Sequence, residues 1–186
     1  MLGRTLEEAP VPCLEVALAL LVPLCVAASA LAPPVAPRPS PVRAMRFCAR
    51  AVAGLVGGTL FFHVWAVLFG APATELVWRT VLWSAMLSSL TALPAACALG
   101  SSLEQWRRLF VEGRHHSTYE AELKMCTWGA VLGAWLGAIP MPLDWDRAWQ
   151  AWPLTCVYGV LGGHTLGLLA AALFSTADGS FSGKSQ

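Results

Sequence analysis

Five long apolar runs, separated by short polar or Pro/Gly-rich segments, divide the chain: residues 14–32, 51–69, 76–99, 123–139 and 152–174. Each is close to the roughly 20 residues that carry a helix across the hydrocarbon core of a bilayer. Helix is the expected conformation, because lipid offers no partner to a free backbone N–H or C=O. The fourth run is the shortest, and Met141 and Leu143 extend it. The pattern predicts an all-α, polytopic integral membrane protein with about five transmembrane helices and a Trp-rich lumenal loop between the last two.

Composition supports that reading. Of 186 residues, 56% are hydrophobic and 12% charged, against roughly a quarter charged in ordinary soluble domains. A small globule buries only about 70% of its unfolded surface, so the apolar excess must face lipid. Nine tryptophans fit membrane–water interfaces. No long basic run points to nucleic acid. The six cysteines are scattered, without a CxxC pair, and read as small apolar residues rather than a zinc site or disulfide framework.

Loop charges set an orientation. Residues 33–50 are Pro-rich and carry Arg38, Arg43, Arg46 and Arg50 with no acid, and residues 100–122 carry Arg107, Arg108 and Arg114. The positive-inside bias places both segments and the C-terminus in the cytosol. The 70–75 turn, the 140–151 loop and the N-terminus then face the lumen. The expected organisation is an N-terminal segment with the first span (1–32), an Arg/Pro-rich cytosolic loop (33–50), a four-span membrane domain (51–174) and a cytosolic tail (175–186). Ala28-Ser29-Ala30 is similar to a signal-peptide cleavage site, but Glu7 and Glu8 make a poor basic leader. A retained first span is the favoured reading.

Two glycine stripes stand out. Gly129, Gly133 and Gly137 lie in the fourth run, and Gly159, Gly163 and Gly167 in the fifth. Residues four apart share a helix face, and such a face lets another backbone come close. The partner is either the other stripe, as a hairpin, or another protein. Gly54 and Gly58 repeat the spacing in the second run.

Candidate chemistry is sparse. Between the stripes, Trp145, Trp149 and Trp152 fall at i, i+4 and i+7. If Asp144 caps a short helix, the three indoles share a face in the headgroup layer. Asp144, Asp146 and Arg147 then meet water, headgroups or a partner, and Arg147 suits a phosphate or carboxylate. His63 and His164 are intramembrane polar groups, a functional candidate by default but also explained as imidazoles bonded to a neighbouring helix. Arg79 either snorkels or pairs with Glu75. His63 and Glu75 form a candidate polar membrane site. No nucleophile elbow, phosphate loop or HExxH motif is present, and no catalytic residue, metal site or cofactor is expected.

The string from Gly133 through Pro140, Pro142-Leu143-Asp144-Trp145, Arg147, Trp149-Gln150 and Trp152-Pro153 resembles the PIG-F family. An upstream block is similar too: Phe62-His63-Val64, Gly70-Ala71-Pro72, Glu75, Leu93-Pro94 and Leu99-Gly100. The match runs from about residue 61 to 172, and its density of Trp and Pro makes it far more specific than a short motif. The resemblance implies a multi-pass endoplasmic-reticulum protein of GPI-anchor biosynthesis. It would act as a non-catalytic subunit that associates with and stabilises the transferases PIG-O and PIG-G. Those partners would move ethanolamine phosphate from phosphatidylethanolamine to a mannose of the GPI precursor. Asp144, Trp145, Asp146, Arg147, Trp149 and Trp152 become candidate contacts to a partner or to the lipid-linked glycan. A small lipid-modifying membrane enzyme and a lipid or solute transporter are the rival readings.

The orientation is testable by glycosylation mapping. Acceptor sites inserted beside Asp144 are expected to be modified and sites beside Arg108 to stay bare; sugar at Arg108 would reverse the assignment.

Overall fold

The structure is a computed structural model that describes residues 8–32, 40–143 and 147–182. Among the described residues the secondary structure is helical throughout. The elements are α1 (Pro10–Leu31), α2 (Pro41–Leu68), α3 (Val77–Leu90), α4 (Ala92–Leu99), α5 (Leu103–Trp106), α6 (Thr118–Ala138) and α7 (Leu154–Ser182). A π-helical segment (Arg107–Val111) continues α5, and a single 3₁₀ turn (Ala148–Gln150) precedes α7.

Three boundaries differ from the sequence reading. First, α2 begins at Pro41, so Arg43, Arg46 and Arg50 ride on a helix and not in a loop. Proline is favoured in the first turn, where its missing N–H has no partner to lose. Second, the third apolar run is two helices broken at Thr91, whose φ and ψ are −126° and −73°. Pro94 cannot donate to the Leu90 carbonyl, and its ring crowds the preceding turn. Side chains take over there: Ser89 Oγ donates to the Met86 carbonyl at 2.7 Å and Thr91 Oγ1 to the Leu87 carbonyl at 2.6 Å. Third, four helical stretches are long and apolar enough to cross a membrane: Pro10–Leu31, Pro41–Leu68, Val77–Leu99 and Leu154–Ser175. α6 is of similar length, but Glu120, Glu122 and Lys124 in its first two turns leave it outside that set.

The α3–α4 stretch is the centre. Two thirds of it is buried. Leu82, Trp83, Met86, Leu87 and Leu90 of α3 join Leu14 of α1, Ala66 of α2, Ala130 and Ala134 of α6, and Cys156, Val157 and Val160 of α7 in one core. α2 crosses at the break. A Cβ on Gly54 would lie 2.8 Å from the Ala92 carbonyl oxygen and 2.9 Å from Leu93 Cα, and a Cβ on Gly58 would strike Ser88 Oγ. The buried Ser88 hydroxyl lies 2.9 Å from the Leu55 carbonyl and 3.1 Å from that of Gly54. An interhelical hydrogen bond thus marks the crossing.

The outward faces are apolar. Leu20, Leu24, Leu60, Leu68, Leu166 and Leu173 are all more than 60% exposed. Such a surface belongs in lipid. Phe61, Trp65 and Phe69 stack along the end of α2 with centroids 5.9 and 5.2 Å apart, an aromatic edge of the kind found at bilayer interfaces.

α6 and α7 form an antiparallel hairpin joined backbone to backbone. A Cβ on Gly129 would collide with the Gly163 carbonyl, one on Gly133 with that of Gly159, and one on Gly137 with that of Thr155. The facing glycines are equally constrained: Gly159 meets Gly133, Gly163 meets Gly129, and Gly167 meets Met125 at 2.6 Å. Gly162, one residue from Gly163, has nothing within 4 Å.

That neighbour supplies a matched control. Gly133→Leu and Gly163→Leu are expected to destabilise by at least the about 1–3 kcal/mol typical of overpacking, since facing backbone cannot swing aside. Gly162→Leu should be tolerated. Thermal unfolding in mild detergent reads the difference; equal behaviour of all three would place both stripes in lipid.

Candidate functional site

The chain gathers its two most distinctive segments at one end of the bundle. The turn between α2 and α3 enters α3 through Leu76, which takes a left-handed φ of 51°. The loop between α6 and α7 returns beside it. Three contacts join them. Trp152 Nε1 donates to Thr80 Oγ1 at 2.9 Å, the Trp152 and Trp83 rings lie 5.4 Å apart, and Arg79 makes a long hydrogen bond of 3.4 Å to the Trp152 carbonyl. α1 closes the group from another side, where Glu15 Oε1 accepts from Trp78 Nε1 at 3.0 Å.

Gln150 holds the loop shut. Its Nε2 donates to the carbonyls of Pro140 at 2.7 Å and Leu143 at 2.8 Å, and its Oε1 accepts from the Arg147 N–H at 2.9 Å. One amide side chain thereby satisfies three backbone groups that an extended loop would leave to water.

The predicted site residues fare differently. Asp144, Trp145 and Asp146 lie outside the described residues. Arg147 is exposed. Trp149 is half-buried in the 3₁₀ turn, and Trp152 turns inward onto Trp83. Trp149 and Trp152 therefore do not continue one helix face, because the Gln150 side chain closes the turn and Pro153 lacks the N–H to extend it. Glu75 is exposed in the turn before α3, while Arg79 faces the Trp152 carbonyl. His63 is half-buried in α2 with Nδ1 shielded and unpartnered among the described groups. His164 is half-buried in α7, with its Nδ1 likewise shielded and unpartnered among the described groups. Among the described residues no three His, Cys, Asp or Glu side chains meet as a metal site.

Sequence reasoning missed Gln150, Thr80 and the network at the opposite end. There Arg108 and Glu120 pair at 2.8 Å, each with 17% of its side chain exposed. Glu120 also accepts the His116 N–H at 2.8 Å, its own N–H donates to Ser117 Oγ, and Lys124 Nζ donates to the Gly113 carbonyl. The S-x-x-E spacing of residues 117–120 was the available signal. Only the Arg147 N–H is local to Gln150, whose other two partners are seven and ten residues away.

The chain has a clear match among known families. A model of the GPI biosynthesis protein family Pig-F matches residues 2–172. The chain belongs to that family. Among curated Pig-F relatives, a human protein named "GPI ethanolamine phosphate transferase, stabilizing subunit" is 43% identical over 113 residues, 61% of this chain and 52% of its own length. A Schizosaccharomyces pombe "PIGF/3-ketodihydrosphingosine reductase fusion protein" is 36% identical over 137 residues, 74% of this chain and 27% of its own. The "Glycosylphosphatidylinositol anchor biosynthesis protein 11" of Pyricularia oryzae is 39% identical over 108 residues, 56% of this chain and 38% of its own. The chain thus spans about half the length of the human and mouse Pig-F relatives it matches. No solved structure matches it.

The Gln150 clamp generates a prediction. Gln150→Leu keeps the bulk and removes bonds worth about 1 kcal/mol each. Limited proteolysis between residues 139 and 151 is expected to speed up severalfold, while the glycine hairpin keeps its thermal stability. Unchanged cleavage would show that the loop is held by something else.

Proposed function

We propose that this chain is an accessory, stabilising subunit of the ethanolamine-phosphate transferases of GPI-anchor biosynthesis, resident in the endoplasmic-reticulum membrane. The observation that carries the reading is family membership across residues 2–172, joined to relatives whose names describe a transferase's stabilising subunit. PIG-O and PIG-G are the proposed partners. In this reading they hold the nucleophile and transfer ethanolamine phosphate from phosphatidylethanolamine to a mannose of the GPI precursor, without a cofactor in this chain.

The geometry suits a scaffold. Backbone contact makes the α6–α7 hairpin stiff, and its outer side exposes Trp128, Leu132, Trp135 and Leu136 to lipid or to a partner's helix. The Gln150-closed loop would face the lumen beside the partner's catalytic domain. There the Asp144–Arg147 segment and Trp149 serve as candidate contacts, with Arg147 offered to a phosphate or carboxylate. Five crossings, with α6 carried across beside α7, complete the proposed topology.

Purified complexes matched for transferase content test the division of labour. Asp144→Asn and Asp146→Asn are each expected to leave measurable turnover, since they remove at most an orienting contact. Arg147→Ala should lower it further. Complete loss in either aspartate variant, with assembly intact, would assign the chemistry to this chain.

A further inference from the structure

The outer side of the α6–α7 hairpin carries two residues that the chain's own packing does not use. Trp128 comes just before Gly129, and Gly162 just before Gly163. Gly129 and Gly163 face each other across the hairpin. One residue is a turn of about 100°. In antiparallel helices, a step back from two facing positions turns both residues to the same side. That side is opposite Ala130 and Val160, which are buried in the core. Trp128 and Gly162 are therefore neighbours on the outer face, at nearly the same height. Leu132 of α6 and Leu166 of α7 flank them, 53% and 66% exposed.

Neither residue is satisfied there. Trp128 is 47% exposed, and its Nε1 has no acceptor among the described residues. Gly162 is a costly residue in mid-helix, yet nothing lies within 4 Å of where its Cβ would stand. α7 fixes their depth. Its apolar stretch runs from Leu154 to Ser175. At 1.5 Å per residue, Gly163 lies about 14 Å from one end and about 18 Å from the other. The hydrocarbon core is about 30 Å thick, so the Trp128 indole is held near the midplane. It is remote from both interfacial belts where tryptophan finds water or headgroups, and acyl chains offer its N–H no acceptor.

We propose that this face is the docking site for a transmembrane helix of the transferase that the chain stabilises; the proposal rests on that stabilising role. The partner helix lies over Gly162, where the missing side chain lets two backbones approach, with Trp128 and Leu132 on one side and Leu166 on the other. At the height of Trp128 it carries an acceptor, a Ser, Thr, Asn or Gln side chain, for the indole N–H. Lipid would fill the notch but leave the N–H unpaired. A second copy meeting this face with its own would set indole donor beside indole donor. A foreign helix with an acceptor is the occupant that answers both features.

Co-purification of the tagged full chain with co-expressed PIG-O or PIG-G in mild detergent tests this. Gly162→Leu is expected to cut the transferase recovered per chain at least about fivefold, as overpacking of a tight contact implies. Trp128→Phe keeps a ring and removes the N–H, and should cut recovery about threefold, the effect of an average interhelical hydrogen bond in a membrane. Gly57→Leu is the control: Gly57 on α2 also has nothing within 4 Å, and recovery should be unchanged. Thermal unfolding of Gly162→Leu alone should match the parent chain; a destabilised variant would show the notch to be filled from within and overturn the proposal. Normal recovery with both the parent and Gly162→Leu leaves the stabilising reading standing and overturns the docking site alone. No recovery with the parent chain overturns both. Conversion of a dimer to a monomer by Gly162→Leu, with transferase recovery unchanged, overturns the proposal and assigns the face to a second copy.

Discussion

The structure depends on two backbones meeting with no side chain between them. Along α6 and α7 the place where the Cβ of each of the six stripe glycines would stand is taken by a facing carbonyl or Cα. In lipid there is no hydrophobic drive to bring helices together, so close dispersion contact must supply the attraction. Glycine costs about 1 kcal/mol of helix propensity relative to alanine in water-soluble hosts. Six of them in two helices make sense only where the contact recovers that cost. The rigid hairpin then sets where the α6–α7 loop emerges, and so where Trp152 meets Thr80.

The central helix meets a different constraint. Thr80, Ser84, Ser88, Ser89 and Thr91 are all at most 1% exposed, in a stretch that the bilayer surrounds. Ser89 and Thr91 bond to their own helix, Ser88 reaches α2, and Thr80 accepts the Trp152 indole. The hydroxyls that leave their own turn are thus the ones that join elements. Ser84 Oγ has no partner among the described groups; the partnered hydroxyls cost little and give direction to contacts that apolar side chains leave free.

Much of this was legible in the sequence. The four-residue spacing of Gly129-Gly133-Gly137 and Gly159-Gly163-Gly167 predicts a close helix pair, since a stripe of missing side chains has meaning only against another surface. Apolar runs located the spanning helices to within about five residues, apart from the start of α2 and the end of α7, which runs on to Ser182. In α2, Pro41 opens a helix that arginines do not interrupt, while charge counting alone suggested a loop. The break at Thr91 was written in Pro94, but an apolar run of suitable length conceals a kink. Gln150 and Thr80 were invisible because their roles rest on partners set by tertiary packing. Trp152 was read as an interfacial residue because its spacing from Trp145 and Trp149 fits a helix, whereas Pro153 and the Gln150 clamp turn it inward.

The charged first turns of α6 bear on what its partner helix must cover. Glu120 and Lys124 leave this helix short of the apolar content of its neighbours. α7 follows after a short loop and carries the complementary glycine face. Held against α7, α6 offers lipid only its outer side, where Leu132 and Trp135 stand, and its backbone is shielded by its partner. The apolar surface that this end of the chain presents thus belongs to a pair of helices rather than to either alone.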